Sequence, residues 1–418
     1  MGARGVASIT DQGATAAASF LASVFIGRHL GAGALGIYAI TAVFVVLIRS
    51  FQNSLILEPM SVYGVRRKSE DRASYFWFLI GFDTLWVGGL AALLAIGSVF
   101  AWALGRIDAS TLYALLASSV FSVLICFQFL LRRQFYIDFR QYLAMIQSLS
   151  YLLLNAAGFA LMWWFDGWSV SDVYILLCVC SVLVCVFLGG RFWTSFTRPT
   201  TAEIRRYWKE HWGFGKWIML TVPLGIATYQ GYFFIVGALV STEAAGLLKA
   251  ADTLVAPFFQ VAIGMSLMLT PMASRNIDQM SLSAQRSYSL RLSLPLVALA
   301  AAYGIAIYFG GEYALRALFG AKIAPAFPVV KIMAFLPLFM ASPLPATVIL
   351  SAMRRSNLRF LSQSIALLGT MGIGVPLVLI YGLEGAAAGL VLTEILFGFS
   401  QWGCLFWLWR RASQRKAP

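Results

Sequence analysis

Arg49 follows eight apolar or small residues, Thr41 to Ile48, and Gln52 and Asn53 come within one helical turn after it. A guanidinium in such a run keeps its charge at physiological pH and can hold an oxyanion through paired N–H donors. Three further cations break apolar runs near their ends: Arg28, Lys249 and Lys331. A charge inside a bilayer-length run costs roughly 3 kcal/mol on insertion scales, so such residues face a cavity, a partner helix or a ligand. If the runs carrying these four cations converge, they line one cavity that attracts an anionic substrate. Arg28, Lys249 and Lys331 fit a second reading equally well, in which long side chains snorkel to the interface.

The acids within apolar runs are Asp11, Asp83, Asp252 and Glu394, with Glu58 at the end of one. Asp252 lies three residues after Lys249, so on a helix the two share a face and can pair. Asp11 and Asp83 can pair with Arg49 or carry a coupling proton, because burial favours the neutral carboxyl. Gln52, Asn53, Gln128, Asn155 and Gln230 can line a polar path or bond between helices. No cofactor is called for, and coupling to H+ or Na+ stays open.

Catalysis is not expected. The chain has no phosphate-binding loop, no Gly-x-Ser-x-Gly and no His beside a nucleophile. Its five cysteines all lie in apolar runs, and neither His29 nor His211 gives them metal-ligand spacing. The formal charge of +14 does not gather on one face, so nucleic acid is not an expected partner.

These residues need helices to position them. The chain is 60% hydrophobic and 11% charged over 418 residues, against about 25% charged in soluble domains. The apolar runs are long and lack period-2 alternation, which selects membrane helices over a barrel. Twelve spans are expected, at 7–28, 34–57, 75–103, 109–131, 142–165, 171–190, 217–240, 246–271, 292–310, 326–350, 358–380 and 385–409. This layout puts 24 of the 31 Lys and Arg residues on one side, including Arg66, Arg67, Lys68, Arg132, Arg133, Arg191, Arg354, Arg415 and Lys416. Arg106, Arg316 and Lys322 fit loops of the opposite side. That side bias orients both termini toward the cytoplasm. A cleaved leader is not expected, because Asp11 interrupts the first apolar stretch.

The layout divides into a six-helix bundle at 1–200, a connector at 201–216 and a second bundle at 217–418. In the connector Ile204, Trp208 and Trp212 recur every four residues among Arg205, Arg206 and Lys209. That pattern fits an amphipathic helix in the headgroup region as well as a plain linker. A faint repeat pairs AGALGIYA from Ala32 with AAGLLKAA from Ala244, and LEPM with LTPM. Six helices per half make these repeats parallel, an arrangement used by transporters that alternate access.

The run Asp11-Gln12-Gly13, Phe20-Leu21, Gly27-Arg28-His29-Leu30-Gly31 and Leu35-Gly36-Ile37-Tyr38-Ala39 resembles the opening of Wzx-like polysaccharide flippases. These belong to the multidrug/oligosaccharidyl-lipid/polysaccharide (MOP) exporter superfamily. Leu57-Glu58-Pro59, Ala245-Gly246, Ala250-Ala251, Pro257 and Tyr381 to Ala387 extend the resemblance over most of the chain. It implies an all-α integral membrane fold, a V-shaped pair of six-helix bundles. It also implies export of a polyprenyl-diphosphate-linked oligosaccharide across the bacterial inner membrane, for polysaccharide synthesis beside a polymerase. Related lipid II flippases build a cationic cavity from Arg on helices 1, 2 and 8. Arg28 and Arg49 fall on matching helices, while helix 8 offers Lys249 in place of Arg. The competing readings are a small-molecule antiporter, of the drug-efflux branch or the major facilitator fold, and a non-transporting subunit of a polysaccharide synthase. The facilitator loop between spans 2 and 3 is missing its spaced Asp-Arg pair: the chain has Gly64-Val65-Arg66-Arg67-Lys68.

Overall fold

The computed structural model describes residues 2–64, 67, 69–165, 167–189, 197–276, 280–353 and 355–414. Among the expected loop cations, Arg66, Lys68, Arg191, Arg354, Arg415 and Lys416 lie outside the described residues. Among those described, all regular structure is helical.

The first helices are α1 (Gly2–Phe25), α2 (Gly31–Gln52), α3 (Glu58–Tyr63), α4 (Ser69–Ala103), α5 (Ala109–Ile137), α6 (Gln141–Trp163), α7 (Val170–Gly189) and α8 (Thr201–Tyr229). Then follow α9 (Gly231–Leu239), α10 (Thr242–Asn276), α11 (Leu282–Phe319), α12 (Phe327–Met333), α13 (Leu336–Ala341), α14 (Leu344–Ala352), α15 (Ser356–Gly369) and α16 (Val375–Gln414). Among the described residues, seven apolar helical runs are long enough to cross a bilayer. Two of them, Val6–Tyr63 and Asn357–Arg411, each hold two expected spans. Each is broken by a left-handed glycine, Gly31 at φ 88° and Gly382 at φ 58°. No Cβ stands in the way of that backbone at glycine, so the chain can turn there. Two bent pairs, Ile218–Tyr229 with Gly231–Leu239 and Lys322–Met333 with Leu336–Ala352, fill spans 7 and 10. Helix α10 covers span 8, so each of the twelve expected segments is met by helix.

The chain forms two compact units: Met1–Leu30 with Ile37–Pro223, and Gly31–Gly36 with Leu224–Pro418. The segment 201–216, expected to connect two bundles, is the first half of α8 and part of the first unit. Tyr207 and His211 on it are fully buried. They pack with Leu55, Met60, Phe78, Leu79 and Leu130. The opposite face leaves Ile204, Trp208 and Trp212 exposed, with the two indoles stacked at 5.9 Å. In the second unit the core gathers Leu269, Leu296, Val348, Ile349, Leu405 and Trp409. Large apolar side chains also point outward, Leu85, Phe100 and Phe187 in the first unit and Phe309, Ile380 and Phe399 in the second. Such outward apolar surface needs lipid as its solvent.

The paired repeat has a structural meaning. The first turn of α2, residues 31–36, belongs to the second unit, where it meets α10. A Cβ on Gly36 would fall 1.7 Å from the Thr242 carbonyl oxygen, and one on Gly246 1.8 Å from that of Ala32. The two repeat glycines thus let the helix backbones touch, as small residues do in membrane helix pairs. Overpacking costs typically about 1–3 kcal/mol, and here the obstacle is backbone that cannot swing away. Gly246→Val is expected to lower the thermal midpoint or abolish recovery of monodisperse protein in detergent. Gly13→Ala, where the new Cβ meets nothing within 4 Å, should leave both unchanged.

His211 lies before the membrane part of α8. Its Nδ1 donates to the Leu55 carbonyl at 2.8 Å, and its Nε2 accepts from the Tyr75 hydroxyl at 2.7 Å. The bond accepted from Tyr75 requires the neutral ring, because a protonated Nε2 has no lone pair to accept with. Burial, aided by the nearby Arg67 charge, pushes its pKa down to about 4. The unfolded imidazole titrates near 6.5. The folded state therefore binds fewer protons between these values, and stability must fall as pH drops from about 6.5 toward 4, by ~3 kcal/mol in all. Thermal melts of wild type should lose midpoint steadily across that window. His211→Phe should show a flatter profile.

Candidate anion-binding site

In the first unit the two arginines expected for the site are held by local distortions of helix. Arg28 sits in a π-helical turn, Ile26–Leu30, between α1 and the left-handed Gly31. Arg49 is in the last turn of α2, and a second π-helical turn, Asn53–Leu57, follows. Such turns carry an extra residue, redirect side chains and concentrate at functional positions. Both arginines are exposed. Arg28 lies 5.7 Å from the Trp163 ring centre. Arg49 lies 5.1 Å from that of Phe129, whose ring also receives Arg132 at 5.3 Å.

Arg132 is the functional group that sequence reasoning misplaced. It is counted above among the loop cations, yet it is buried inside α5. Helix α5 continues to Ile137, past the expected end of its span at 131. The buried Phe135 and Ile137 were the available signal. Arg132 donates to Asp11 from Nε at 2.9 Å and from Nη2 at 2.7 Å. Tyr136 donates to the same carboxylate at 2.6 Å, and Ser148 to its other oxygen. Asp11 therefore pairs with Arg132 instead of Arg49, and its oxygens are fully engaged.

Asp83 does not pair with Arg49 either. It accepts from Gln52 Nε2 at 2.7 Å, and the same nitrogen donates to the Cys126 carbonyl at 2.7 Å. Asn53 donates to Glu58 at 2.9 Å. The charge of Arg132 bears on Arg49 but is matched by Asp11. Among the described residues Arg49 has no carboxylate partner at salt-bridge distance, and it is exposed beside an aromatic ring.

The second unit treats its cations differently. Lys249 Nζ bonds Asp252 at 2.8 Å, and the Tyr229 hydroxyl donates to the same carboxylate at 2.7 Å. The i, i+3 pair expected from spacing forms, and it compensates Lys249. Tyr229 was not singled out from the sequence. Lys331 is exposed on α12. Glu394 is half-buried on α16, within electrostatic reach of Tyr229. Among the described residues no group of His, Cys, Asp and Glu could hold a metal ion.

No family model matches the chain, and no curated protein sequence does. Solved structures do. The chain is similar to an inward-facing multidrug resistance MATE family transporter of the MOP superfamily, with TM-score 0.77, 11% identity, and coverage of 98% of this chain and 100% of that one. It is similar to the lipid II flippase MurJ in an inward closed conformation, with TM-score 0.74, 13% identity, and coverage of 96% and 87%. A third is a MOP superfamily transporter from Pyrococcus furiosus, described as having a binding pocket of reverse polarity that suggests a different function. It has TM-score 0.68, 10% identity, and coverage of 98% and 96%. The fold is therefore that of the MOP transporters, a multi-pass membrane architecture.

The two kinds of arginine separate in a stability measurement. Removing one partner of a buried ion pair leaves an uncompensated charge and costs about 3–5 kcal/mol. Arg132→Ala should therefore lose that much, seen as a large drop in thermal midpoint. Arg49→Ala removes an exposed side chain without an ion-pair partner among the described residues and should shift the midpoint little.

Proposed function

We propose that this protein is a flippase for a lipid-linked oligosaccharide, with a polyprenyl-diphosphate headgroup bound through Arg49 and Arg28. The observation that carries this reading is Arg49 itself. It is an exposed cation within an apolar helix, without a carboxylate partner among the described residues, beside Phe129. A diphosphate diester supplies the missing negative charge and acceptors for a guanidinium fork. Lys249 and Lys331 lie in the second unit, where Lys249 stays with Asp252. Uncharged polar side chains accept the sugars, and the polyprenyl tail remains in lipid. Alternating access carries the headgroup across the bacterial inner membrane, both termini lying on the cytoplasmic side. A neighbouring polysaccharide polymerase would take the product.

A second reading is a small-molecule antiporter, supported by the similarity to a multidrug resistance MATE transporter. A site for cationic drugs needs free carboxylates. In the first unit Asp11 is fully engaged by Arg132, Tyr136 and Ser148, which favours an anionic substrate.

Reconstituted vesicles containing a labelled polyprenyl-diphosphate saccharide separate the two. Wild type should flip the label, and Arg49→Ala should reduce the rate at least about tenfold at equal protein level, the loss expected when a charge-assisted contact worth ~1.4 kcal/mol or more is removed. Arg49→Lys should retain part of it. Export of a cationic dye without movement of the saccharide lipid would sink the flippase reading.

A further inference from the structure

Arg49 and Arg28 stand at different levels of the first unit. The ring of Phe129 on α5 receives Arg49 at 5.1 Å and Arg132 at 5.3 Å. Arg132 holds Asp11 on α1 at 2.7 Å, and Ser148 on α6 bonds the same carboxylate. Arg49 is thus near the level of Asp11 and Ser148. Arg28 lies 5.7 Å from the Trp163 ring centre, and its neighbour His29 meets that ring at 3.7 Å. Between these contacts Phe25 stacks on Phe159 at 4.7 Å. Helices α1 and α6 therefore run side by side in the same direction, and their contacts form a ruler.

The ruler gives the separation. Trp163 follows Ser148 by fifteen residues on one unbroken helix, about 22 Å at 1.5 Å per residue. Arg28 follows Asp11 by seventeen residues on α1 and its π-helical turn, a similar length. A diphosphate is far shorter than that. One headgroup cannot sit on both guanidinium groups at once.

The stretch between them has no cation. Residues 12–27 of α1, 37–48 of α2, 73–103 of α4, 109–131 of α5, 149–162 of α6 and 170–189 of α7 include no Lys or Arg. An anion crossing this unit meets a cation at each end and none between, so each end is a separate energy well. The ends also differ in their aromatic partner. Phe129 is half-buried, whereas Trp163 is exposed. An exposed indole offers a face on which a sugar ring can lie while the guanidinium beside it takes the diphosphate.

We propose that Arg49 and Arg28 are two successive stations for the anionic headgroup, with Trp163 completing the second. Both belong to the first unit, so the headgroup passes along one unit instead of resting on a single central site. The scheme rests on the flippase reading and on its cytoplasmic termini, which make Arg49 the loading end and Arg28 the release end. Binding and transfer are non-covalent, and no bond is made or broken.

Full-length protein in nanodiscs is photolysed with a short-chain prenyl-diphosphate-linked glucose whose sugar carries a diazirine, and the adducts are mapped by peptide mass spectrometry. Wild type should give two separate sets, one on α5 around Phe129 and one on α6 around Trp163. Arg49→Ala should lose the first set roughly tenfold and keep the second, and Arg28→Ala the reverse, the loss expected on removing a charge-assisted contact. In vesicles Arg49→Ala should raise the half-saturating concentration of the flipped label. Arg28→Ala should leave that concentration within about twofold and lower the maximal rate roughly tenfold. A single set abolished by both variants overturns the scheme. So do adducts around Trp163 that persist in Arg28→Ala, which mark an interfacial tryptophan only. The wild-type map alone counts the stations, so a variant that fails to fold does not shield the scheme. Adducts at one level only overturn the second station, while continued flipping leaves the flippase reading standing. Neither adducts nor flipping overturns both.

Discussion

A charge held away from water must be met by an opposite charge or by enough dipoles, and this molecule is arranged around that cost. Asp11 and Arg132 meet it together, with Tyr136 and Ser148 filling the remaining acceptor positions. Lys249 and Asp252 meet it within one turn of α10, helped by Tyr229. Arg49 meets it only in part, through the ring of Phe129 and exposure to open space. The pairing of the others is what gives Arg49 its meaning. A lone cation among unmatched acids would be a salt bridge waiting to form. With Asp11 engaged by Arg132, Arg49 keeps no carboxylate partner among the described residues.

The second governing constraint is steric. Helices packed in lipid gain little from burying apolar side chains against one another, so close backbone approach matters more. Gly36 and Gly246 provide it at one crossing, while at Gly374 and Gly389 the missing Cβ makes room for the Tyr232 side chain. The left-handed Gly31 and Gly382 divide helical runs that would otherwise be too long for a bilayer. Arg28 stands three residues before Gly31, in the π-helical turn at that break.

Much of this was legible along the chain. Apolar runs and cation asymmetry mark where helix must be, because hydrocarbon length and insertion cost act on local segments. The Lys249–Asp252 pair was legible too, since helical spacing alone brings them together. The weak repeat pointed to Gly36 and Gly246, though not to their being in contact. Arg132 was legible only in part, through the apolar Phe135 and Ile137 beyond it. It sits beside Arg133 at the end of an apolar run and looks like an orienting loop cation. Only α1, more than a hundred residues earlier, supplies the carboxylate that draws it inward. Likewise 201–216 has the composition of a connector, and packing of Tyr207 and His211 makes it part of the first unit.

The sequence by itself determined that the chain is helical, spans a membrane many times and carries a few cations too costly to be incidental. These follow from hydropathy and charge, which are additive along the chain. Tertiary structure decided which of those charges are neutralised and which remain. That outcome depends on pairing between distant helices at hydrogen-bond distance, where a displacement of one ångström decides whether a bond forms. Composition and spacing carry no such information: the sequence left Asp11 and Asp83 open between pairing with Arg49 and carrying a proton, and the fold bonds Asp11 to Arg132 and Asp83 to Gln52.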